Sequence, residues 1–325
     1  MNKNIWLRRF SKLTCFSTLV LIFVGGMVTS TGSGLAVPDW PLSYGTLFPP
    51  MVGGVFYEHG HRMVASFVGF LMLTLAVWLA FKEERIWVKV CGFWALGAVI
   101  VQGLLGGLTV LFYLPTPVSV AHGVLAQTFF LLTIFIAYSQ SKERQLRAFV
   151  KDGVDPVLQV TGVVLLICIY IQLILGAVMR HTGSGLAVYD FPTIAGSWWP
   201  SFNQDMLNNI NSWRFDYDLD PVTMVNVFLH LMHRAWAGVI VIGVCVLNVS
   251  GLKCQLPNKD KIRNTILCLD GIVFFQIILG IMTILTIKSP VITSLHVVTG
   301  AATLGVTFLL LLRIAPLSFK KFSEL

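Results

Sequence analysis

Four of the seven histidines form two pairs with nearly the same spacing. His61 and His122 are 61 residues apart, and His233 and His296 are 63 residues apart. Each of the four stands near one end of a long apolar run, where ionisable residues are candidates for function because burying them is costly. A lone histidine in such a run is more often a packing residue, but two matched pairs favour binding of a shared kind of ligand.

Two histidines at each site favour one kind of ligand over another. A zinc site takes three or four protein ligands, whereas one imidazole from each of two facing helices suits axial ligation of haem iron. Helical bundles build cofactor sites from facing helices in this way. Small residues near the histidines would let a flat macrocycle approach the backbone. They are Gly60, Gly69, Gly103, Gly106, Gly107, Gly123, Gly238, Gly280 and Gly300.

The two pairs differ by one acid. Glu58 stands three residues before His61, so both side chains lie on one helical face, whereas the matching position before His233 holds His230. An acid beside an iron centre can relay protons. The sequence therefore favours proton transfer by Glu58 in one pocket and a passive cofactor in the second pocket, which His230 would line. A solvated acid at a helix start is the simpler alternative for Glu58.

An arginine directly follows one histidine of each pair. Arg62 follows His61, and Arg234 follows His233. A guanidinium is a natural partner for a haem propionate at the membrane surface, and snorkelling towards the interface is the alternative. The remaining histidines, His59 and His181, are interpreted as interfacial or loop residues.

Membrane-spanning helices must position these residues. The chain has 325 residues, of which 56% are hydrophobic and only 12% charged, against about 25% charged residues in a typical soluble domain. A helix needs roughly 20 mainly apolar residues to cross a bilayer, which predicts an all-α polytopic membrane protein. Eight runs qualify: 13–30, 60–81, 87–112, 117–138, 157–179, 225–250, 264–286 and 292–313.

The eight runs are two copies of a four-helix unit. The heptad TGSGLAV occurs at 31–37 and at 182–188, EHGHR at 58–62 aligns with HLMHR at 230–234, and VAHG at 120–123 aligns with SLHV at 294–297. An insertion of about 21 residues after the second heptad explains the change of offset from 151 to 172–174.

An even number of helices in each unit gives both units the same orientation, whereas many transporters contain inverted repeats. We therefore expect two tandem four-helix bundles, residues 1–140 and 141–325, related by a pseudo-twofold axis along the membrane normal.

The basic residues predict the orientation. Of the 23 lysines and arginines, 18 lie in five short segments: 1–12, 82–89, 139–156, 251–263 and 313–325. The positive-inside rule then places both termini in the cytoplasm and the loops at 31–57 and 180–224 outside the cell's inner (cytoplasmic) membrane. The scattered basic residues exclude a nucleic-acid partner. The six cysteines all lie in spans or on the inner side, so none could form a disulfide in an outer loop.

The repeated TGSGLAV has two interpretations. Glycine tolerates the left-handed backbone that ends a helix, and the PDWP and YDFP segments that follow would place aromatic rings at the interface. Alternatively, the two loops fold down as lids over two equivalent pockets. Identical sequence in both copies favours a shared task.

The motifs TGSGLAVPDWP, EHGHR, VAHG, the second TGSGLAV, MHR and SLHVVTG together resemble the haem A synthase family, the membrane haem O oxidases of cytochrome oxidase assembly. The resemblance spans all eight predicted helices. It implies that a ring methyl of haem O is oxidised to a formyl group. It further implies that His61 and His122 hold the substrate haem beside the catalytic Glu58, and that His233 and His296 hold a haem b cofactor that passes electrons.

The chain departs from some members of that family because its first outer loop contains no cysteine. The implied partners are the lipid bilayer, the enzyme that supplies haem O and an electron donor that the sequence does not identify. The sequence also leaves open whether the chain forms a homo-oligomer. Two alternatives remain: a dihaem b-type electron carrier that exchanges electrons with quinol, and a transporter whose histidines bind substrate or protons.

Overall fold

The computed structural model describes residues 5–147, 156–254, 256 and 258–314, and its regular structure is helical. Within these ranges no β-strand forms, although each long loop contains one isolated bridge. The helices are α1 (Ile5–Ser30), α2 (Gly54–Lys82), α3 (Ile86–Leu111), α4 (Thr116–Ser139), α5 (Lys142–Arg147), α6 (Pro156–His181), α7 (Gln204–Asp216), α8 (Met224–Leu252), α9 (Lys259–Leu285) and α10 (Pro290–Ile314).

Eight of the helices, all but α5 and α7, are long and apolar enough to cross a membrane. They confirm the eight predicted spans and the all-α class. Helix α1 begins at Ile5 rather than at residue 13, because a helix can continue through polar residues once it leaves the hydrocarbon core, which needs only roughly 20 residues to cross.

Helix α7 forms from the inserted residues of the second repeat and was not predicted. Its N-cap, Asn203, accepts the N–H of Met206 at 2.9 Å, which satisfies one of the free donors at a helix start. Met206, Ile210 and Arg214 follow one another at intervals of four and are buried. The insertion is therefore a short amphipathic helix that packs on the end of the helical core.

The long helices form two groups of four, and each helix contacts two others of its own group. Helix α1 contacts α2 and α4, and α3 contacts both of these; likewise α6 contacts α8 and α10, and α9 contacts both of these. Between the sets, α1 contacts α10, α4 contacts α6, and α4 contacts α10. These contacts favour two bundles related by a pseudo-twofold axis. The axis and the boundary between residues 140 and 141 remain predictions.

The two copies of TGSGLAV end their helices in the same way. Thr31 Oγ1 donates to Met27 O at 2.8 Å, and Thr182 Oγ1 donates to Val178 O at 2.8 Å. The next residues, Gly32 and Gly183, have φ angles of 67° and 70°, in the left-handed region that favours glycine. The interpretation of TGSGLAV as a helix stop is confirmed.

Candidate functional site

His233 on α8 and His296 on α10 lie opposite each other between their helices. Their ring centroids are 6.4 Å apart, and the ring planes are inclined by 66°. Two imidazoles on opposite sides of one metal, each with a bond of roughly 2 Å, have ring centres at about this separation. The pair therefore fits axial ligation of a haem iron between α8 and α10.

A glycine on a neighbouring helix lies against each of the four paired histidines. The four contacts are Gly25–His61, Gly106–His122, Gly176–His233 and Gly280–His296. A Cβ built on any of these glycines would lie 3.0–3.2 Å from the Cε1 atom of the ring. Because that is tighter than ordinary van der Waals contact, a side chain at any of these positions would displace the ring by a few tenths of an ångström.

The glycine contacts change the interpretation of two predicted residues. Gly106 and Gly280 were expected to let a macrocycle approach the backbone, but they accommodate imidazole rings instead. The sequence analysis missed Gly25 and Gly176. These two glycines lie in corresponding apolar runs and are 151 residues apart. The same offset that revealed the repeat could have identified them. All four contacts place the histidines of the two halves in equivalent surroundings.

Several buried ring nitrogens lack a protein partner. Among the described residues, the Nδ1 atoms of His61, His122 and His233 are buried and unbonded, whereas Nδ1 of His296 lies 3.2 Å from Gln276 O. Buried polar atoms are nearly always satisfied in folded proteins. Buried imidazole nitrogens without a partner are consistent with histidines that bind a ligand from outside the chain.

Glu58 is buried and both of its carboxylate oxygens are occupied. Oε2 accepts the N–H of Val37, in the first TGSGLAV, at 2.8 Å, and Oε1 pairs with Arg62 at 2.6 Å. Only 3% of the residue is exposed. The alternative of a solvated acid at a helix start is therefore wrong, and Glu58 joins helix α2 to the loop above it.

Arg62 holds the first long loop (residues 31–53) through backbone carbonyls. Its NH1 donates to Asp39 O and Leu42 O, both at 2.7 Å, and its NH2 donates to Val37 O at 3.3 Å. A snorkelling arginine would direct these donors to water or lipid headgroups, so that alternative is wrong. Its predicted role as a propionate partner stays a prediction.

His230 takes the place of Glu58 beneath the second long loop (residues 182–223). Its Nε2 accepts from Arg234 Nε at 3.0 Å, and its Nδ1 lies 3.1 Å from Ser184 O. Because a guanidinium can only donate, the contact with Arg234 requires an unprotonated Nε2, while Nδ1 also lies 3.4 Å from the N–H of Val188. Arg234 also donates to Asp190 O at 2.6 Å, as Arg62 does to the matching Asp39.

His59 on α2 and Trp40 in the first loop both contact other parts of the chain. His59 is buried, and its Nδ1 lies 2.8 Å from Ser43 Oγ in the first loop. The ring of Trp40 packs on α3, so that a Cβ on Gly107 would lie 2.6 Å from it. Gly107 adjoins Gly106, which contacts His122. Trp40 thus brings the first loop next to the first histidine pair, which its sequence context did not reveal.

One carboxylate shapes the tight turn of each loop. Asp39 accepts the N–H groups of Tyr44 and Gly45, and Asp190 accepts those of Ala195 and Gly196. The N–H of Gly45 is the main cause that lowers the pKa of Asp39. Burial raises the pKa of Asp190, but hydrogen bonds from the Thr193 hydroxyl and the turn amides outweigh it and lower the pKa overall.

The fold and the site define a multi-pass helical membrane protein in which His233 and His296 face each other in the second half, and in which His61 and His122 make matching glycine contacts in the first half. A sequence model described as "Cytochrome oxidase assembly protein" matches residues 8–53 and 52–308. The chain belongs to this family of cytochrome oxidase assembly proteins.

Proteins called heme A synthase are among the relatives. The one from Halalkalibacterium halodurans is 28% identical over 89% of this chain and 91% of its own length. The one from Lysinibacillus sphaericus is 26% identical over 91% of each. The one from Bacillus licheniformis is 31% identical, but that match spans only 59% of this chain and 64% of the relative.

Proposed function

We propose that this protein is a haem A synthase, an oxidoreductase that converts one ring methyl of haem O into a formyl group by two hydroxylations, each of which consumes one dioxygen, two protons and two electrons from an external donor and releases one water. Family membership and the names of the relatives support this function. The observation that carries it is the pair of equivalent histidine sites of which only the first has a buried carboxylate, Glu58.

The two sites have different tasks in this proposal. His61 and His122 bind the substrate haem O, and His233 and His296 bind a haem b cofactor. The resident haem supplies electron-transfer chemistry when it is bound. The placement of Glu58 supports this assignment, because the oxidation of a methyl group needs a proton donor or acceptor near the substrate, whereas a resident electron carrier does not.

The protein residues hold the substrate and manage protons. Gly25 and Gly106 fix the orientation of the two imidazoles. The first loop covers the site through Trp40 and keeps out water. Glu58 can take up a proton at Oε2 once the N–H of Val37 moves away, while Arg62 stabilises the negative charge that remains when the proton leaves. Proton transfer at Glu58 is thereby coupled to the position of the loop.

The distribution of basic residues supports the orientation of the chain in the membrane. Both termini lie in the cytoplasm, the two long loops lie at the outer face of the inner membrane, and the halves 1–140 and 141–325 each carry one haem. The partners are the enzyme that supplies haem O and an external electron donor.

Extraction of the pigments from purified protein tests the function. Haem O or haem A together with haem B supports a synthase. Haem B alone would favour a dihaem electron carrier, and the absence of a Soret band would favour a transporter. Replacing Glu58 with Gln separates the first two: a synthase loses its product, whereas a carrier still reduces both haems.

A further inference from the structure

Two cations at the loop-side end of the second site have no acidic partner. Arg180 is the penultimate residue of helix α6, and Lys288 lies between α9 and α10. Among the residues that the structure describes, neither forms an ion pair, whereas Arg62 pairs with Glu58 in the first half. Partly buried charges without compensation are costly, so this arrangement calls for an explanation.

Arg180 lies at the junction of three helices near His296. Its NH2 donates to Gly26 O and Ser30 Oγ of α1, both at 2.7 Å. Ser30 in turn contacts Ser294 at 3.1 Å, two residues before His296 on α10. Arg180 also interacts electrostatically with His296. Its NH1 and Nε groups have no acceptor among the described residues, so they are free to bind an anion.

Lys288 adds a second positive charge at the same end. Its Cδ atom packs against Gly185, where a Cβ would lie 3.5 Å away. Burial lowers the pKa of Lys288, and the nearby charges of Arg214 and Arg180 lower it further. The ammonium group has no hydrogen bond within the described part of the chain. Mutual repulsion of cations is relieved when an anion binds between them.

The first half lacks both cations at otherwise equivalent positions. Thr29 corresponds to Arg180, and Leu114 corresponds to Lys288. Leu114 and Lys288 share the same backbone conformation, with a φ of 59° in each. A Cβ built on Gly34 would lie 3.4 Å from the Leu114 side chain, as one built on Gly185 would lie 3.5 Å from Lys288. The scaffold thus does not require these charges, and they belong to the second site alone.

We propose that Arg180 and Lys288 bind the carboxylate groups of the haem held between His233 and His296. This inference rests on the proposed function, because it requires a haem at that site. Arg234, the other cation near this pair, already uses its donors on His230 and on the carbonyls of Val188, Asp190 and Thr193. The free donors of Arg180 and the unbonded ammonium of Lys288 are therefore better placed for a new anion.

Replacing Lys288 with Leu is the sharpest test, because Leu is the residue that the first half carries there and the Lys288 side chain has no hydrogen bond to any residue that the structure describes. We expect the affinity for haem b to fall roughly tenfold, the usual effect of losing one charge-assisted hydrogen bond. The midpoint potential of the bound haem should also fall, because removing a positive charge disfavours the reduced iron. Lys288→Arg should keep both values close to those of the wild type.

Haem b dimethyl ester identifies the anion. Full-length protein produced without haem is loaded with haem b or with its ester. The wild type should prefer the free acid, and Lys288→Leu and Arg180→Gln should each reduce that preference several-fold. An unchanged preference and potential in both variants would overturn the inference, and so would a change only in the amount of co-purified anionic lipid.

Failure of the proposed function gives a different result. In that case wild-type protein shows no Soret band, or His233→Ala retains its full haem b content. If His233→Ala loses haem b while Lys288→Leu and Arg180→Gln behave as the wild type, only the carboxylate site is wrong.

Discussion

Equivalent contacts hold the two long loops in place, but the buried polar residue beneath each loop is different. In each, an arginine one turn after a buried polar residue binds loop carbonyls, and an aspartate shapes the turn. The buried residue is Glu58 in the first half and His230 in the second. The second half instead gains Arg180 and Lys288. The duplicated fold therefore fixes the geometry, while a few substitutions place negative charge at one site and positive charge at the other.

The loops also differ in how firmly they are held. Helix α7 packs against the second loop, where Arg214 donates to Leu186 O at 3.0 Å and Trp213 stacks on Tyr189 with centroids 4.7 Å apart. The first loop has no such helix. This difference fits a first site that exchanges its haem and a second site that keeps it.

The largest effect is expected from Glu58→Gln, which keeps the shape of the side chain but removes its charge. Formation of haem A should fall by roughly 10²–10⁴-fold, the usual contribution of a positioned acid or base. Separation of haems O and A extracted from the membranes measures it.

His230→Gln is the matched control for that prediction. It changes the equivalent position of the second half, and haem A formation should stay within a few-fold of the wild type. Equal losses in both variants would mean that the two positions only hold their loops, and the functional contrast between the sites would disappear.

The glycines behind the histidines should show equal sensitivity in both halves. Gly106→Ala and Gly280→Ala each place a methyl group 3.1–3.2 Å from an imidazole, and we expect each to lower haem occupancy by a factor of roughly ten, since overpacking usually costs about 1–3 kcal/mol. The ratio of haem to protein measures it. Gly69→Ala is the control, because no atom lies within 4 Å of its Cβ. Unchanged occupancy in both variants would argue against rigid imidazole positions.

Removal of the loop arginines should affect the first loop more than the second. Arg62→Gln removes hydrogen bonds from a charged donor, each worth about 1.5–3 kcal/mol, and leaves residues 37–44 attached to α2 by the contacts of Glu58 with Val37 and of His59 with Ser43. Arg234→Gln leaves α7 and Arg214 in place. Hydrogen exchange of the amides in each loop measures the effect. Faster exchange in the second loop than in the first would contradict the difference in loop stability.

The smallest effect concerns Asp190, whose pKa in the folded protein is lowered. Its contribution to stability is present above the unfolded pKa of about 3.9 and is lost as the pH falls through the lower folded value. Because the carboxylate is only partly buried, Asp190→Asn should cost less than about 1 kcal/mol. The exchange rate of the Ala195 and Gly196 amides at pH 7 and at pH 3 measures it. Asp39→Asn, in the more exposed first turn, should have a smaller effect.

Much of the fold could be predicted because it depends on local sequence. Apolar runs of sufficient length predict the eight helices, and TGSGLAV predicts their ends through glycine. Helix α7 was missed because its apolar residues are few and spaced only at four-residue intervals. The pairing of His233 with His296 could be predicted from the repeat, since duplicated spacing reports a shared position without any knowledge of distances.

The sequence by itself determined the helical class, the duplication, the candidate histidines and the acid present in one copy only. The tertiary structure decided that Arg62 and Arg234 bind loop carbonyls, that Gly25 and Gly176 contact imidazoles, and that Arg180 binds Gly26 and Ser30 of α1. These facts join residues from different helices or from loops that fold back on them. Hydrophobic periodicity specifies which face of a helix is buried, but only packing specifies which residue of another helix meets it.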